Sequence, residues 1–211
     1  MMVKQEIYYH IHRMGEWSGR WKINSVIYWG QKERNNFNKF YDNNGFITDL
    51  TNGLGYMHGR NALNNFLDQP QSFQMQNYKR IIEEALSIIK EQCIFTRETI
   101  FEEVRSNYFP ELPSRKTCIW VCKKEALHYW WSALHGQKKI FKLELTGVLH
   151  KADEKHLICD TLSHNEIRAN AFNYWTGSDG SNPTEEELLF EGVIKVLDEY
   201  YDLDDFTISE G

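Results

Sequence analysis

The residues of this chain that could do chemistry lie near its two ends. Late in the sequence, Thr184-Glu185-Glu186-Glu187-Leu188-Leu189-Phe190-Glu191-Gly192-Val193-Ile194 sets a carboxylate cluster directly before an apolar run rich in strand formers. A carboxylate at the mouth of a strand is held against a cleft, where it can polarise a sugar hydroxyl. Near the other end, Tyr8-Tyr9-His10-Ile11-His12 alternates like a half-buried strand and puts both histidines on one face. Neither half is decisive alone. An early strand histidine and a late strand-edge glutamate become informative as a pair.

The elements that must position them can be read from periodicity. Glu6 to Arg13 alternates as a strand, and Trp21 to Trp29 reads as a second. Gln31 to Gln71 is rich in Asn, Gly and Asp, which predicts a loop-rich insertion with short helical turns. Helical spacing follows over Asn77–Gln92, and a separate helix opening at Thr96 runs through Thr99–Tyr108 until Pro110 and Pro113 end it. Thr117–Cys122 is the next strand, Lys124–Leu134 a short aromatic helix, and Ile140–Leu149 a cleanly alternating strand. Leu157–Cys159 reads as brief and extended, Ser163–Trp175 as helical, and Leu188–Val196 as the last strand. The carboxylate segment admits a second reading, because Thr184 and Glu187 have capping-box spacing and would open a C-terminal helix. Gly192 would cost such a helix about 1 kcal/mol relative to alanine, and Val193-Ile194 is a β-branched pair, so the strand is preferred. The total is a single mixed α+β domain with helices inserted between early and late strands.

Composition narrows the function classes. A chain of 211 residues can bury one good core. There is no run of about 18 apolar residues and no signal-peptide pattern at Met1–Glu6, so no membrane association and a cytoplasmic location are expected. Cys93, Cys118, Cys122 and Cys159 are then expected as reduced thiols; zinc on Cys118 and Cys122 with His150, His156 or His164 is the lesser alternative, since no tight second ligand pair is present. The formal charge is −6, but residues 183–211 carry ten acidic side chains against Lys195 alone, a net of −9, which leaves +3 for the rest. That asymmetry argues against a broad nucleic-acid-coating surface. Residues 197–211 read as a solvated acidic tail; docking on a partner or on the protein's own basic face is the alternative. Phosphate-loop, nucleophile-elbow and His-Glu-x-x-His motifs are absent, which makes the common serine and zinc hydrolases poor fits.

Three segments, in order, resemble the histidine–aromatic–glutamate arrangement of the ADP-ribosyltransferase superfamily, in particular its poly-ADP-ribose-polymerase-like and toxin-like branches. Tyr9-His10-Ile11-His12 is similar to the opening strand. Cys118-Ile119-Trp120-Val121-Cys122 with Glu125-Ala126-Leu127-His128-Tyr129-Trp130 is similar to the strand, turn and helix that supply two aromatics. Glu187 to Ile194 is similar to the strand that begins with the catalytic glutamate. Pro113-Ser114-Arg115 and Ala171-Phe172-Asn173-Tyr174-Trp175 resemble an uncharacterised bacterial branch. Two features depart from the pattern: His12 is bulky where that branch has a small residue, and Glu185-x-Glu187 mimics the paired glutamates of arginine-modifying toxins.

The resemblance implies a split β-sheet core and an enzyme that uses NAD as substrate, without a metal, to transfer ADP-ribose to a macromolecular acceptor, protein or nucleic acid. It implies Glu187 as the catalytic carboxylate on the ribose 2′-hydroxyl, with Glu185 and Glu191 as the alternatives. His10 would hold the adenosine-side ribose with His12 beside it. Trp120 would wall the pocket, Tyr129 would stack on nicotinamide, and Arg115 or Arg13 would pair with the pyrophosphate. A bacterial or phage-conflict toxin neutralised by an antitoxin protein fits the resemblance. So do a plain NAD glycohydrolase and a catalytically inactive interaction domain of the same fold. Without the resemblance, His10 is a satisfied strand histidine, Arg115 a surface arginine, and Trp120 and Tyr129 ordinary core.

Overall fold

The structure, a computed structural model, describes residues 1–14, 18–30, 35, 37, 39, 47–48, 57–178 and 184–210. In chain order the strands are β1 (Met2–Arg13), β2 (Val26–Trp29), β3 (Ile47–Thr48), β4 (Met57–His58), β5 (Ile119–Val121), β6 (Lys138–Asp153) and β7 (Glu186–Tyr200). The helices are α1 (Gly59–Leu67), α2 (Gln71–Tyr108), α3 (Leu127–Ala133), α4 (His164–Thr176) and α5 (Leu203–Glu210). The fold is α+β. None of these helices is long and apolar enough to cross a membrane.

All pairing in the main sheet is antiparallel, in the order β1-β6-β7-β2. The short β5 lies on the first half of β7, with Ile119 opposite Phe190 and Val121 opposite Leu188. Cys122, just past β5, then bridges back to Tyr9 of β1, each donating its amide to the other's carbonyl at 2.8 Å. β1, β6, β7 and β5 thus curl until the first meets the last. That curl brings His10, early in the chain, beside the strand that leads from Arg115.

Alternation along the strands sorts the side chains into distinct cores, as a period of two requires. Tyr8, Phe141, Leu143, Leu188 and Phe190 meet inside the curl around Trp21. Leu189 points the other way, into Phe101, Val104, Tyr174 and Trp175 of α2 and α4. Tyr9, Ile11, Tyr200 and Phe206 form a third cluster against Leu127 of α3. β6 and β7 cross closely at Gly147 and Gly192, which face each other in register. A Cβ on Gly192 (φ +146°) would sit 2.5 Å from the Thr146 carbonyl oxygen and 2.7 Å from Gly147 Cα. Gly192→Ala is therefore expected to destabilise the fold by more than about 2 kcal/mol, measured by chemical denaturation, since both backbone strain and overlap must be absorbed.

Several elements differ from the sequence reading. The two helices expected over Asn77–Gln92 and Thr99–Tyr108 are one 38-residue helix. No glycine or proline lies between Gln71 and Tyr108, so the backbone does not stop at Thr96, and Thr99 donates its hydroxyl back to the Phe95 carbonyl at 2.9 Å. The second strand occupies only Val26–Trp29, because Asn24 takes φ +67° in a turn ahead of it. Leu157 ends a 3-10 turn (Glu154–Leu157) rather than opening an extended stretch. Ser163 does cap α4, its hydroxyl accepting from the Glu166 amide while the Glu166 carboxylate accepts from the Ser163 amide. The preferred strand reading of the carboxylate segment holds over its alternative, a capped helix from Thr184: Glu187 is in β7.

The acidic C-terminus is anchored by two aromatic side chains, while Asp202 and Asp204 are exposed. Tyr200 and Phe206 are buried, Lys124 lies 5.6 Å from the Phe206 ring centroid, and Lys139 pairs with Glu199 at 3.7 Å and sits over Tyr201. Most of the Gln31–Gln71 insertion lies outside the described residues; its last part is β4 and α1.

Candidate functional site

β7 begins with Glu186 and Glu187, and the register places Glu187 opposite Ala152 of β6. Its small neighbour leaves room for side chains arriving from the helical side. Three of them converge there: Arg115 from the segment ahead of β5, Glu98 from α2 and Tyr174 from α4. Arg115 donates through Nη1 to Glu187 Oε2 and to the Tyr174 hydroxyl (2.5 Å), and through Nε and Nη2 to Glu98 at 2.9 and 3.2 Å. The Tyr174 hydroxyl donates to Glu187 Oε2 at 2.7 Å. Arg97 also donates to Glu98, at 2.8 Å. One guanidinium thus bridges two carboxylates within the protein interior, and all four groups are buried.

The electrostatics are mutually dependent. Burial alone pulls the Arg115 guanidinium down, but Glu187 and Glu98 outweigh it and hold it well above its ordinary value. Burial pushes the Glu98 carboxyl up, and Arg115 and Arg97 more than reverse this, keeping it below the usual carboxylate range. Burial raises the Tyr174 phenol far above its ordinary value, so it remains a donor to Glu187. Both side-chain bonds to Glu187 fall on Oε2; Oε1 accepts no hydrogen bond among the described residues. The carboxylate is pinned by one oxygen and presents the other.

The other two candidate glutamates are placed differently. Glu191 accepts from the Ser114 amide at 3.2 Å and the Thr117 hydroxyl at 2.5 Å, and its carboxyl is raised by burial. It fixes the segment that carries Arg115. Ser114 is held a second time by Glu102 at 2.8 Å, and Asn35 donates to the Arg115 and Cys118 carbonyls. Glu185 is exposed, and its carbonyl accepts from the Glu154 amide.

Glu187 lines a cavity of about 1230 Å³, with His10, His12, Arg13, Arg115 and Trp120 also in its walls. His10 is half-buried; its Nδ1 lies 2.8 Å from the Trp120 carbonyl, and its ring stacks on Trp21 at 4.9 Å between centroids. Burial, helped by neighbouring His12 and opposed by the bond to Trp120, lowers His10 to about 3. The ring is therefore neutral, and because a carbonyl only accepts, its proton is on Nδ1 and Nε2 is left as an acceptor. His12 is also lowered by burial and packs against Trp21 and Phe141. Trp120 has the Arg115 guanidinium 5.6 Å from its ring centroid and Phe37 edge-on at 6.2 Å.

Six of the seven residues singled out from sequence therefore share one cavity. Tyr129 does not: it is 37% exposed and donates its hydroxyl to Glu154 at 2.9 Å, while the next residue, Trp130, faces the cavity. Arg115 is in the cavity wall, but its guanidinium is committed to carboxylates rather than left for a pyrophosphate. Arg13 is exposed at the rim, and Arg20 joins it there. Glu98 and Tyr174 were not foreseen. Tyr174 sits in the quoted Ala171–Trp175 segment, whereas Glu98 had no distinguishing signal among the charges of α2. The two thiols in the cavity wall are poor nucleophiles, since burial raises Cys118 well above its ordinary value and Cys122 to about 12. Among the described residues no His, Cys, Asp and Glu cluster has the grouping of a metal site.

Residues 8–203 match a family described as a protein of unknown function, DUF2441, and the chain belongs to that family. No curated protein matches the chain. The family match covers both His10 and Glu187.

The neutral histidines set a pH dependence of stability. His10 at about 3 and buried His150 at about 4 are both below the 6.5 of an unfolded histidine. Above that value neither state binds the proton, and the full stability is present. As pH falls from 6.5 towards 4, the unfolded chain takes up protons that the folded one refuses, so stability drops by up to about 1.4 kcal/mol per pH unit for each group. The melting temperature is expected to fall steadily between pH 6.5 and 4, and His150→Gln to flatten that slope. A flat profile in the unmodified protein would contradict the neutral assignment.

Proposed function

We propose that this protein is an NAD-dependent ADP-ribosyltransferase that acts in the cytoplasm on a macromolecular acceptor, protein or nucleic acid, as a bacterial or phage-conflict effector held in check by a neutralising protein. The observation that carries the reading is the joint placement of a pinned carboxylate and a neutral histidine in one cavity. Glu187 has one oxygen locked by Arg115 and Tyr174 and the other unbonded, and His10 has Nε2 available as an acceptor.

In that reaction the bond between ribose C1′ and nicotinamide breaks, its electron pair leaves with nicotinamide, and positive charge develops on the sugar. A carboxylate accepting the 2′-hydroxyl proton in a hydrogen bond stabilises that charge most when it cannot reorient. Arg115 and Tyr174 supply that rigidity, and Oε1 is the acceptor. His10 Nε2 accepts from a hydroxyl of the other ribose, Trp120 forms the wall, and Arg13 with Arg20 at the rim matches the pyrophosphate. Trp130 rather than Tyr129 is the aromatic of α3 available to the nicotinamide ring. An acceptor nucleophile then forms its bond to C1′ and loses its proton to solvent.

The test supplies NAD labelled in the adenylate half together with cell lysate. Label incorporated into protein or nucleic acid by the unmodified chain and not by Glu187→Gln supports the reading. Nicotinamide release without incorporation identifies a glycohydrolase. No NAD binding at all leaves an interaction domain of the same fold and overturns the proposal.

A further inference from the structure

The helix α2 does two different jobs along its length. Its C-terminal half is core, with Ile100, Phe101 and Val104 buried. Its N-terminal half touches α1, where Leu63 and Phe66 pack on Ile81. The adjoining face carries five large apolar side chains left in solvent: Met75 at 66% exposure, Tyr78 at 57%, Ile82 at 54%, Leu86 at 59% and Ile89 at 59%. At 100° per residue these five fall within about 40° of Ile82, so they form one straight stripe about 21 Å long. Scattered exposed apolar residues need no explanation; a contiguous stripe of this kind marks an interaction surface.

The spacing names the occupant. Met75 and Tyr78 lie seven and four residues before Ile82; Leu86 and Ile89 lie four and seven after it. An antiparallel copy related by a two-fold axis through Ile82 sets Met75 against Ile89, Tyr78 against Leu86, and Ile82 against itself, so every apolar side chain meets an apolar one. The flanks tolerate this arrangement. Lys79 falls opposite Ala85, Glu83 opposite Ile81 and Lys90 opposite Gln74, and no like charges are brought together. Two-fold interfaces require this self-complementarity, in which residue i meets j and j meets i. The five side chains expose on the order of 500 Å², so a symmetric pair buries about 1,000 Å², which meets the lower bound for a biological interface and fits a weak, concentration-dependent dimer. We propose that the protein forms a two-fold dimer through antiparallel packing of the N-terminal halves of α2, centred on Ile82. This stands apart from the proposed reaction and from the cavity residues that carry it.

Cysteine crosslinking reads the register directly. Cys93 is the partly exposed native thiol, so Cys93→Ser provides the background. In it, Ile82→Cys is expected to form a disulfide-linked dimer under mild oxidation, since only the residue on the axis meets its own copy. Ile89→Cys alone should stay monomeric on a denaturing gel, whereas mixing Ile89→Cys with Met75→Cys should crosslink. In sedimentation velocity the unmodified chain should show a concentration-dependent dimer, and Ile82→Glu, at an exposed position that leaves the fold and melting temperature intact, should weaken it at least ~10-fold. A monomer at every concentration overturns the proposal. So does a dimer indifferent to Ile82→Glu, or one that crosslinks through Ile89→Cys alone and not through Ile82→Cys.

Discussion

Replacing Arg115 with methionine is expected to cost about 3–5 kcal/mol of folding stability, the range found when one partner of a buried ion pair is removed. Arg115 is 3% exposed, and its guanidinium bridges Glu98 and Glu187. Without it both carboxylates stay buried, and only Glu98 retains a cation, Arg97 at 2.8 Å. Urea denaturation monitored by tryptophan fluorescence measures the loss. Arg115→Lys restores the charge but not the planar fork that reaches both carboxylates, so it should recover only part of the deficit. A methionine variant within about 1 kcal/mol of the parent would show that the bridge contributes little.

The second large effect concerns Glu187. Glu187→Gln keeps the shape of the side chain and can still accept from Tyr174 and Arg115 at one oxygen. It removes the negative charge that the proposed transition state requires. The expected outcome is a loss of nicotinamide release of about 10²–10³-fold, the scale seen when one preorganised electrostatic partner is lost. NAD affinity should change far less, because the carboxylate acts on charge that develops only as the bond breaks. Equilibrium NAD binding measured beside single-turnover release separates the two. Equal losses in affinity and turnover would instead make Glu187 a binding residue.

How much of this was legible in the sequence depended on how local each signal is. Strands betray themselves by alternation, so β1 and β6, and with them His10 and His12, could be read directly. β7 was harder because Thr184 and Glu187 also fit a helix cap; Gly192 and the branched pair after it favoured the strand, and the close crossing at Gly147 is the physical reason a glycine stands there. The break expected at Thr96 failed because a good capping residue does not end a helix that nothing interrupts. Tyr129 was assigned from the family resemblance alone; neighbouring residues of a helix differ by 100°, and it is Trp130, not Tyr129, that lines the cavity.

The charge network was out of reach for a different reason. Arg115 is separated from Glu98 by 17 residues, from Tyr174 by 59 and from Glu187 by 72. No local pattern marks Glu98 apart from Glu102 or Glu103 on the same helix, although one neutralises the interior, one anchors Ser114 and one pairs with Arg168 on the surface. An arginine between a proline-rich turn and a strand reads as exposed until the fold places two carboxylates on it. The C-terminal acidic run likewise gave no sign that Tyr200 and Phe206 anchor it against α3.

The most direct test of the central claim is nicotinamide release from NAD, followed side by side for the unmodified protein and Glu187→Gln with cell lysate as acceptor. Release that is present in the first and lost by at least about 10²-fold in a folded Glu187→Gln variant is the predicted result. Equal release by both proteins, or none by either together with no NAD binding, would contradict the assignment of this cavity to NAD chemistry.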